Sequence, residues 1–144
     1  MSQSDALQMI ALAGDMSSHP WENLRNQALL VLIYGCGLRI SEALNLSYGD
    51  RPKPDNISIR ITGKGKKQRD APILPLIENA IQQYIQAAPF DFKDDDPLFR
   101  GVRGGRFSAR QVQMIVEKCR RSMGLPDTVT PHAFRHSFAT HLLA

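Results

Sequence analysis

Apolar side chains recur at spacings of three and four residues along most of this chain, and at a spacing of two in one place; that contrast lays out its elements. Residues 5–13 read as a short helix closed by Gly14. Pro20-Trp21-Glu22 opens a longer helix in which Leu24, Ala28, Val31 and Leu32 recur at helical spacing. From Ala28 to Tyr34 it is apolar nearly all round, which marks a helix inside a core rather than one laid on its surface. The pattern stops at Gly35-Cys36-Gly37, and a new helical stretch runs from Leu38 to Leu44. Beyond Pro52 and Pro54, Ile57-Ser58-Ile59-Arg60-Ile61 alternates strictly, as a strand with one buried face does. A polar, glycine-containing turn from Gly63 to Arg69 follows, and Asp70 to Ile73 completes a basic hairpin.

Helical spacing resumes at 74–88, with Leu76, Ile77, Ala80, Ile81, Tyr84 and Ile85 as the stripe and Pro75 in the first turn, where its missing N–H is tolerated. The acidic run from Asp91 to Asp96 reads as a solvated loop. Leu98-Phe99 returns to the core before a turn over 101–105. Ser108 then caps a helix reaching about Met123, with Val112, Ile115, Val116 and Cys119 inward and Arg110, Lys118, Arg120 and Arg121 on its outer side. A last helix, opened by Thr130-Pro131, carries Phe134, Phe138 and Leu142 as its stripe. The expected architecture is one α+β domain over 1–144, mostly helical, with a small antiparallel sheet.

Composition narrows the class. A chain of 144 residues with 42% apolar side chains supports one core. No apolar run approaches the length of a bilayer span, and the first residues lack the basic flank and cleavage pattern of a secretory leader. Cys36 and Cys119 read as reduced thiols, so the expected compartment is the cytoplasm, with no membrane partner. The net charge is only +4, yet residues 51–70 and 100–121 hold fourteen of the eighteen Lys and Arg with three acids, Asp55, Asp70 and Glu117. Brought to one face, these segments would form the footprint of a nucleic-acid binder whose affinity comes largely from counterion release. Lys66, Lys67, Arg69, Arg103 and Arg106 are the candidate contacts.

Three stretches carry candidate chemistry. In the terminal helix His132, Arg135 and His136 share a face. A guanidinium fork beside an imidazole suits a phosphate, the imidazole donating to it or moving a proton. A zinc site on His132 and His136 lacks both the adjacent Glu and a third ligand. Arg39, directly after the most apolar helix, either bridges to Glu42 or is held rigidly to meet an anion. The hairpin turn Gly63-Lys64-Gly65-Lys66-Lys67 lacks the spacing of a Walker loop and opens no helix.

Taken in order, GCGLRISEAL, GKGKKQRDAPI after a strand, and TPHAFRHSFATHLL resemble the catalytic domain of the tyrosine site-specific recombinases, or phage-integrase-type recombinases, most of all the bacterial Xer type. The resemblance covers nearly the whole chain. It implies DNA strand cleavage by a tyrosine that forms a 3′-phosphotyrosyl bond and frees a 5′-hydroxyl, without metal or nucleotide cofactor. It implies that Arg39 and Arg135 clamp the phosphate, that Lys64 protonates the leaving oxygen, that His132 assists proton transfer, and that Glu42 supports them. The implied partners are double-stranded DNA, a recombinase tetramer on two sites and a possible partner recombinase; the implied settings are DNA integration or chromosome partition.

The sequence departs from the family at two places. The family's further His or Trp and its nucleophilic Tyr follow the H-x-x-R helix, and its helical DNA-clamping domain precedes the catalytic one; neither stands in these 144 residues. Tyr34, Tyr48 and Tyr84 fall in none of the right contexts. The expectation is therefore a fragment of a recombinase catalytic domain, truncated before its nucleophile and inactive alone. The alternative is a DNA-binding module on the same scaffold. A metal-dependent nuclease fits least, since no motif links the acids of 91–96 to the basic segments.

Overall fold

The computed structural model describes residues 2–55 and 58–130. Its order is α1 (Gln3–Ala13), α2 (Pro20–Cys36), α3 (Ile40–Leu44), β1 (Ser58–Thr62), β2 (Gln68–Pro72), α4 (Pro75–Ala87) and α5 (Ala109–Ser122), with single 3₁₀ turns at Tyr48–Asp50 and Lys64–Lys66. The mostly helical fold with one two-stranded antiparallel sheet is the expected class. Ile57, His132, Arg135 and the rest of the expected terminal helix beyond Thr130 lie outside the described residues.

Helix α2 is the centre. Ala28, Leu29, Leu30, Leu32 and Ile33 are all buried, as a segment apolar on every side requires. It packs most extensively on α4 and also on α1 and α3, while α1 closes onto α5. Ser2 with Asp5, and Ser108 with Gln111, form reciprocal capping boxes at the starts of α1 and α5. Gly37 ends α2 in the left-handed region, φ 63°, where a side chain would be strained. Leu38 then drops into the core with no exposure, and Arg39 stands in extended backbone as the residue before α3.

Four details differ from the sequence pattern. Helix α3 begins at Ile40 rather than Leu38, because Leu38 and Arg39 are spent on turning the chain out of α2. Leu76 is 69% exposed, since the inward line of α4 is Ile77, Ile81 and Tyr84, one residue round the helix from it. The acidic run is not simply solvated. The Asp94 and Asp96 carbonyls accept the Gly49 and Tyr48 N–H groups at 2.9 and 2.7 Å, which fixes the loop to the turn after α3. Arg120 is not surface decoration: its guanidinium donates to the Asp127 and Val129 carbonyls and so holds the chain leading to Thr130.

Two basic residues are drawn inward as braces. Arg25, 4% exposed, donates to Asn26 and to the Arg100 carbonyl and lies 4.0 Å from the Phe107 ring centre. Burial lowers the pKa of its guanidinium, and Glu22 partly offsets this. Arg100 donates to the Gly104 and Asp91 carbonyls and sits over Phe90. Together they pin the basic turn over 100–107 onto the body of the fold.

Candidate active site

Two elements meet at the site, and their local sequence explains why. In the hairpin Ile59 pairs with Ala71 and Ile61 with Arg69, and directly opposed residues in an antiparallel pair share a face. Ile59, Ile61 and Ala71 are buried, so that face is the inner one, and Arg69 lies on it at the end next to the turn. Arg60 and Asp70 share the outer face and form a 3.5 Å ion pair in solvent. Helix α3 supplies the counterpart of Arg69. Glu42 is its third residue, 5% exposed, and a buried carboxylate needs partners.

Glu42 finds them on both sides. Its Oε1 accepts the Arg39 backbone N–H at 2.8 Å, and both of its oxygens accept from Arg69, at 2.7 and 3.2 Å. This bidentate bond raises the Arg69 pKa above its ordinary value. Of the two fates open to Arg39, a side-chain bridge to Glu42 is not made among the described residues. Glu42 spends its carboxylate on the Arg39 backbone and on Arg69, and among the described residues no acid lies within ion-pair distance of the exposed Arg39 guanidinium. Gly63 also lies close against α3: a Cβ there would stand 3.1 Å from Glu42 Oε2.

Between these elements lies a cleft of about 610 Å³ lined by Arg39, Glu42, Gly63, Lys64, Lys67, Gln68 and Arg69. A second hollow, about 350 Å³, extends past Ser41, Asn45 and Thr62 and again touches Arg39 and Lys64. Lys64 is exposed on the turn, not in a core salt bridge. Gly65 and Lys66 both take positive φ, 73° and 60°, and the Gly63 N–H closes the loop on the Lys67 carbonyl at 2.7 Å. The structure thus brings Lys64 to Arg39 and Glu42, 25 and 22 residues away from it in sequence, along with Lys67 and Arg69.

The remaining candidates divide. Lys66 and Arg103 are exposed. Arg106 donates to the Leu44 carbonyl at the end of α3. Both basic segments therefore touch the same short helix, one through Arg69 at Glu42 and the other through Arg106 at Leu44. His132 and Arg135 lie outside the described residues. The Arg69–Glu42 bridge is what the sequence reading missed. The signal that would have found it is the hairpin register, which puts Arg69 on the face of Ile59 and Ile61.

The Phage integrase family model matches residues 2–144. The chain belongs to the phage integrase family. Tyrosine recombinase XerC of Brucella suis biovar 1 (strain 1330) is 49% identical over 143 residues, covering 99% of this chain and 45% of that protein. The XerC of Agrobacterium fabrum (strain C58 / ATCC 33970) is 45% identical over 144 residues, again covering 45% of its length. The chain thus spans about half the length of these curated relatives. Among solved structures, the XerH site-specific recombinase bound to difH substrate in a pre-cleavage complex superposes with a TM-score of 0.80 at 25% identity, covering 99% of this chain and 42% of that one. In this family member the exposed Arg39 and Lys64 share one cleft whose two walls are joined by an ion pair.

Proposed function

We propose that these 144 residues are part of the catalytic domain of a longer, Xer-type tyrosine recombinase that cuts and rejoins double-stranded DNA in the cytoplasm. The observation that carries this reading is the Arg39 guanidinium, exposed and uncommitted among the described residues, opening on the same cleft as Lys64. The XerC and XerH likenesses support a tyrosine recombinase; in the reaction that the family resemblance implies, a tyrosine oxygen attacks the scissile phosphorus and the bond to the 5′-oxygen breaks. Arg39 donates to a non-bridging oxygen, where charge grows as phosphorus becomes five-coordinate, and fixed donors there act without reorganisation. The Lys64 ammonium gives its proton to the departing 5′-oxygen and is left a neutral amine. His132 takes up the tyrosine proton, and Arg135 is the second clamp. The freed 5′-hydroxyl of a partner strand then reverses the step. The working assembly is a tetramer on two DNA sites, in some cases with a partner recombinase.

The attacking tyrosine is none of the three in this chain. Tyr84 has no exposure, donates to the Leu98 carbonyl at 2.9 Å and accepts the Arg100 N–H at 3.0 Å; burial pushes its phenol up to about 12. Tyr34 is buried in α2, and burial raises its pKa too. Tyr48 stacks on Phe92 beneath the Arg51 guanidinium. None of the three lines the cleft. The test is a nicked suicide duplex analysed on a denaturing gel. The full-length recombinase forms a covalent adduct with or without EDTA, whereas the 144-residue chain forms none. An adduct from the short chain would move the nucleophile into it, and loss of the full-length adduct in EDTA would favour a metal enzyme.

A further inference from the structure

Arg69 looks like one more cation of the basic hairpin, and its surroundings say otherwise. Its strand register places it on the face of Ile59 and Ile61, with nearly half of its side chain still exposed, whereas Arg60 lies on the outer face. There it makes two bonds to a carboxylate that is 5% exposed and that also accepts the Arg39 backbone N–H. One buried carboxylate thus joins the Arg39 backbone to the strand that leaves the Lys64 turn. The link sits at the mouth of the hairpin: Arg69 opposes Ile61, Thr62 opposes Gln68, and the next backbone bond, Gly63 to Lys67, already closes the loop that holds Lys64. Other described contacts between hairpin and α3 are few. The planar fork of arginine sets one N–H on each carboxylate oxygen in a fixed geometry, which the compact, rotatable ammonium of lysine does not reproduce.

We infer that Arg69 is a positioning residue: through Glu42 it sets the distance between the Lys64 ammonium and the Arg39 guanidinium, so that the acid meets the leaving oxygen of the phosphate that Arg39 holds. The inference rests on the proposed recombinase reading, in which Lys64 is that acid. It assigns to Arg69 a role in proton delivery rather than a phosphate contact, and so predicts a defect that depends on the leaving group. A 5′-oxygen must be protonated as it departs. A 5′-sulfur in the same bridging position leaves as a stable thiolate and needs no acid. A variant harmed only in proton delivery therefore recovers on the sulfur substrate.

The experiment measures single-turnover adduct formation by the full-length recombinase on matched suicide duplexes carrying 5′-oxygen or 5′-sulfur at the scissile bond. The proteins are wild type, Lys64→Ala, Arg39→Ala, Arg69→Gln and Arg69→Lys. On the oxygen substrate Arg69→Gln is expected to fall about 10- to 100-fold and Arg69→Lys less, as a partial loss of a group whose general-acid contribution is typically about 10²–10⁴-fold. On sulfur both recover to within about threefold of wild type, as Lys64→Ala does, while Arg39→Ala stays slow on both. An Arg69 defect of equal size on both substrates overturns the inference in favour of a DNA contact. Unchanged rates on both overturn it as well, and so does loss of the helical circular-dichroism signal in both Arg69 variants, which would make the residue a prop of the fold. Failure of Lys64→Ala to recover on sulfur, with Arg39→Ala slow, instead removes Lys64 as the acid. Absence of any wild-type adduct removes the recombinase reading itself.

Discussion

At the scale of single residues, the chain separates cations that hold the fold from cations that face outward, and sequence alone does not draw that line. Arg25, Arg100, Arg106 and Arg120 all donate to backbone carbonyls. Arg106 is exposed as well, while Arg39, Lys64, Lys66 and Arg103 are exposed with no such bond among the described residues. Arg39 and Lys64 were legible because each sits in a short motif. The partner of Glu42 was not, because an ion pair across 27 residues depends on strand register. Tyr84 gives the plainest residue-scale test. Tyr84→Phe strands the Leu98 carbonyl and the Arg100 N–H in the core, and leaving such groups unpaired costs about 1–3 kcal/mol; urea unfolding should show that loss, with adduct formation by the full-length protein unchanged. The native phenol also titrates late. Its pKa lies above the ordinary 10.0, at about 12, so the stability it contributes is whole below about pH 10 and is lost as pH rises through about 12. Phenolate absorbance for Tyr84, isolated by comparison with Tyr84→Phe, should appear only in that upper range.

At the scale of elements, α3 and the hairpin are each too small to stand alone. A five-residue helix is below the length at which helices persist in water, and an isolated two-stranded hairpin is marginal. Their order comes from what grips them: Leu38, Ala43 and Leu44 in the core, Arg69 on Glu42, and Arg106 on the last carbonyl of α3. The alternation of Ile59 and Ile61 made the strand legible, and the polar glycine turn made the hairpin legible. The sequence pattern starts α3 two residues before Ile40 because Leu38 is apolar whether it lies in a helix or anchors an extended turn. Gly65 offers an element-scale prediction. Its φ is 73° and a Cβ there would meet nothing within 4 Å, so Gly65→Ala carries a backbone cost alone, about 1–2 kcal/mol. Hydrogen exchange of the β1 and β2 amides should speed up accordingly while α2 keeps its protection. Equal loosening of both would mean that the hairpin and the core open as one unit.

At the scale of the molecule, one buried helix, α2, carries the layers that bring two basic segments to α3, one at Glu42 and one at Leu44. The clustering of charge in 51–70 and 100–121 was readable in the sequence; their meeting at α3 was not, because it is made by the Arg25 and Arg100 braces and by Arg106. The expected DNA contacts are correspondingly unequal. Neutralising Lys66, Lys67 or Arg103 should each lower the slope of log affinity against log salt by about 0.9 for a lost phosphate contact, and Arg106→Gln by less, because its guanidinium is engaged with Leu44. A uniform response across the four would mean that the brace opens on binding. The account as a whole stands on Arg39 acting in the transition state and not merely in binding. The measurement is the single-turnover adduct rate of full-length Arg39→Ala beside its affinity for the same duplex. A fall of about 10²–10³ in rate, with affinity nearly kept, is the predicted result. A variant that binds worse by the same factor as it cleaves worse, or one that cleaves at the wild-type rate, would contradict it.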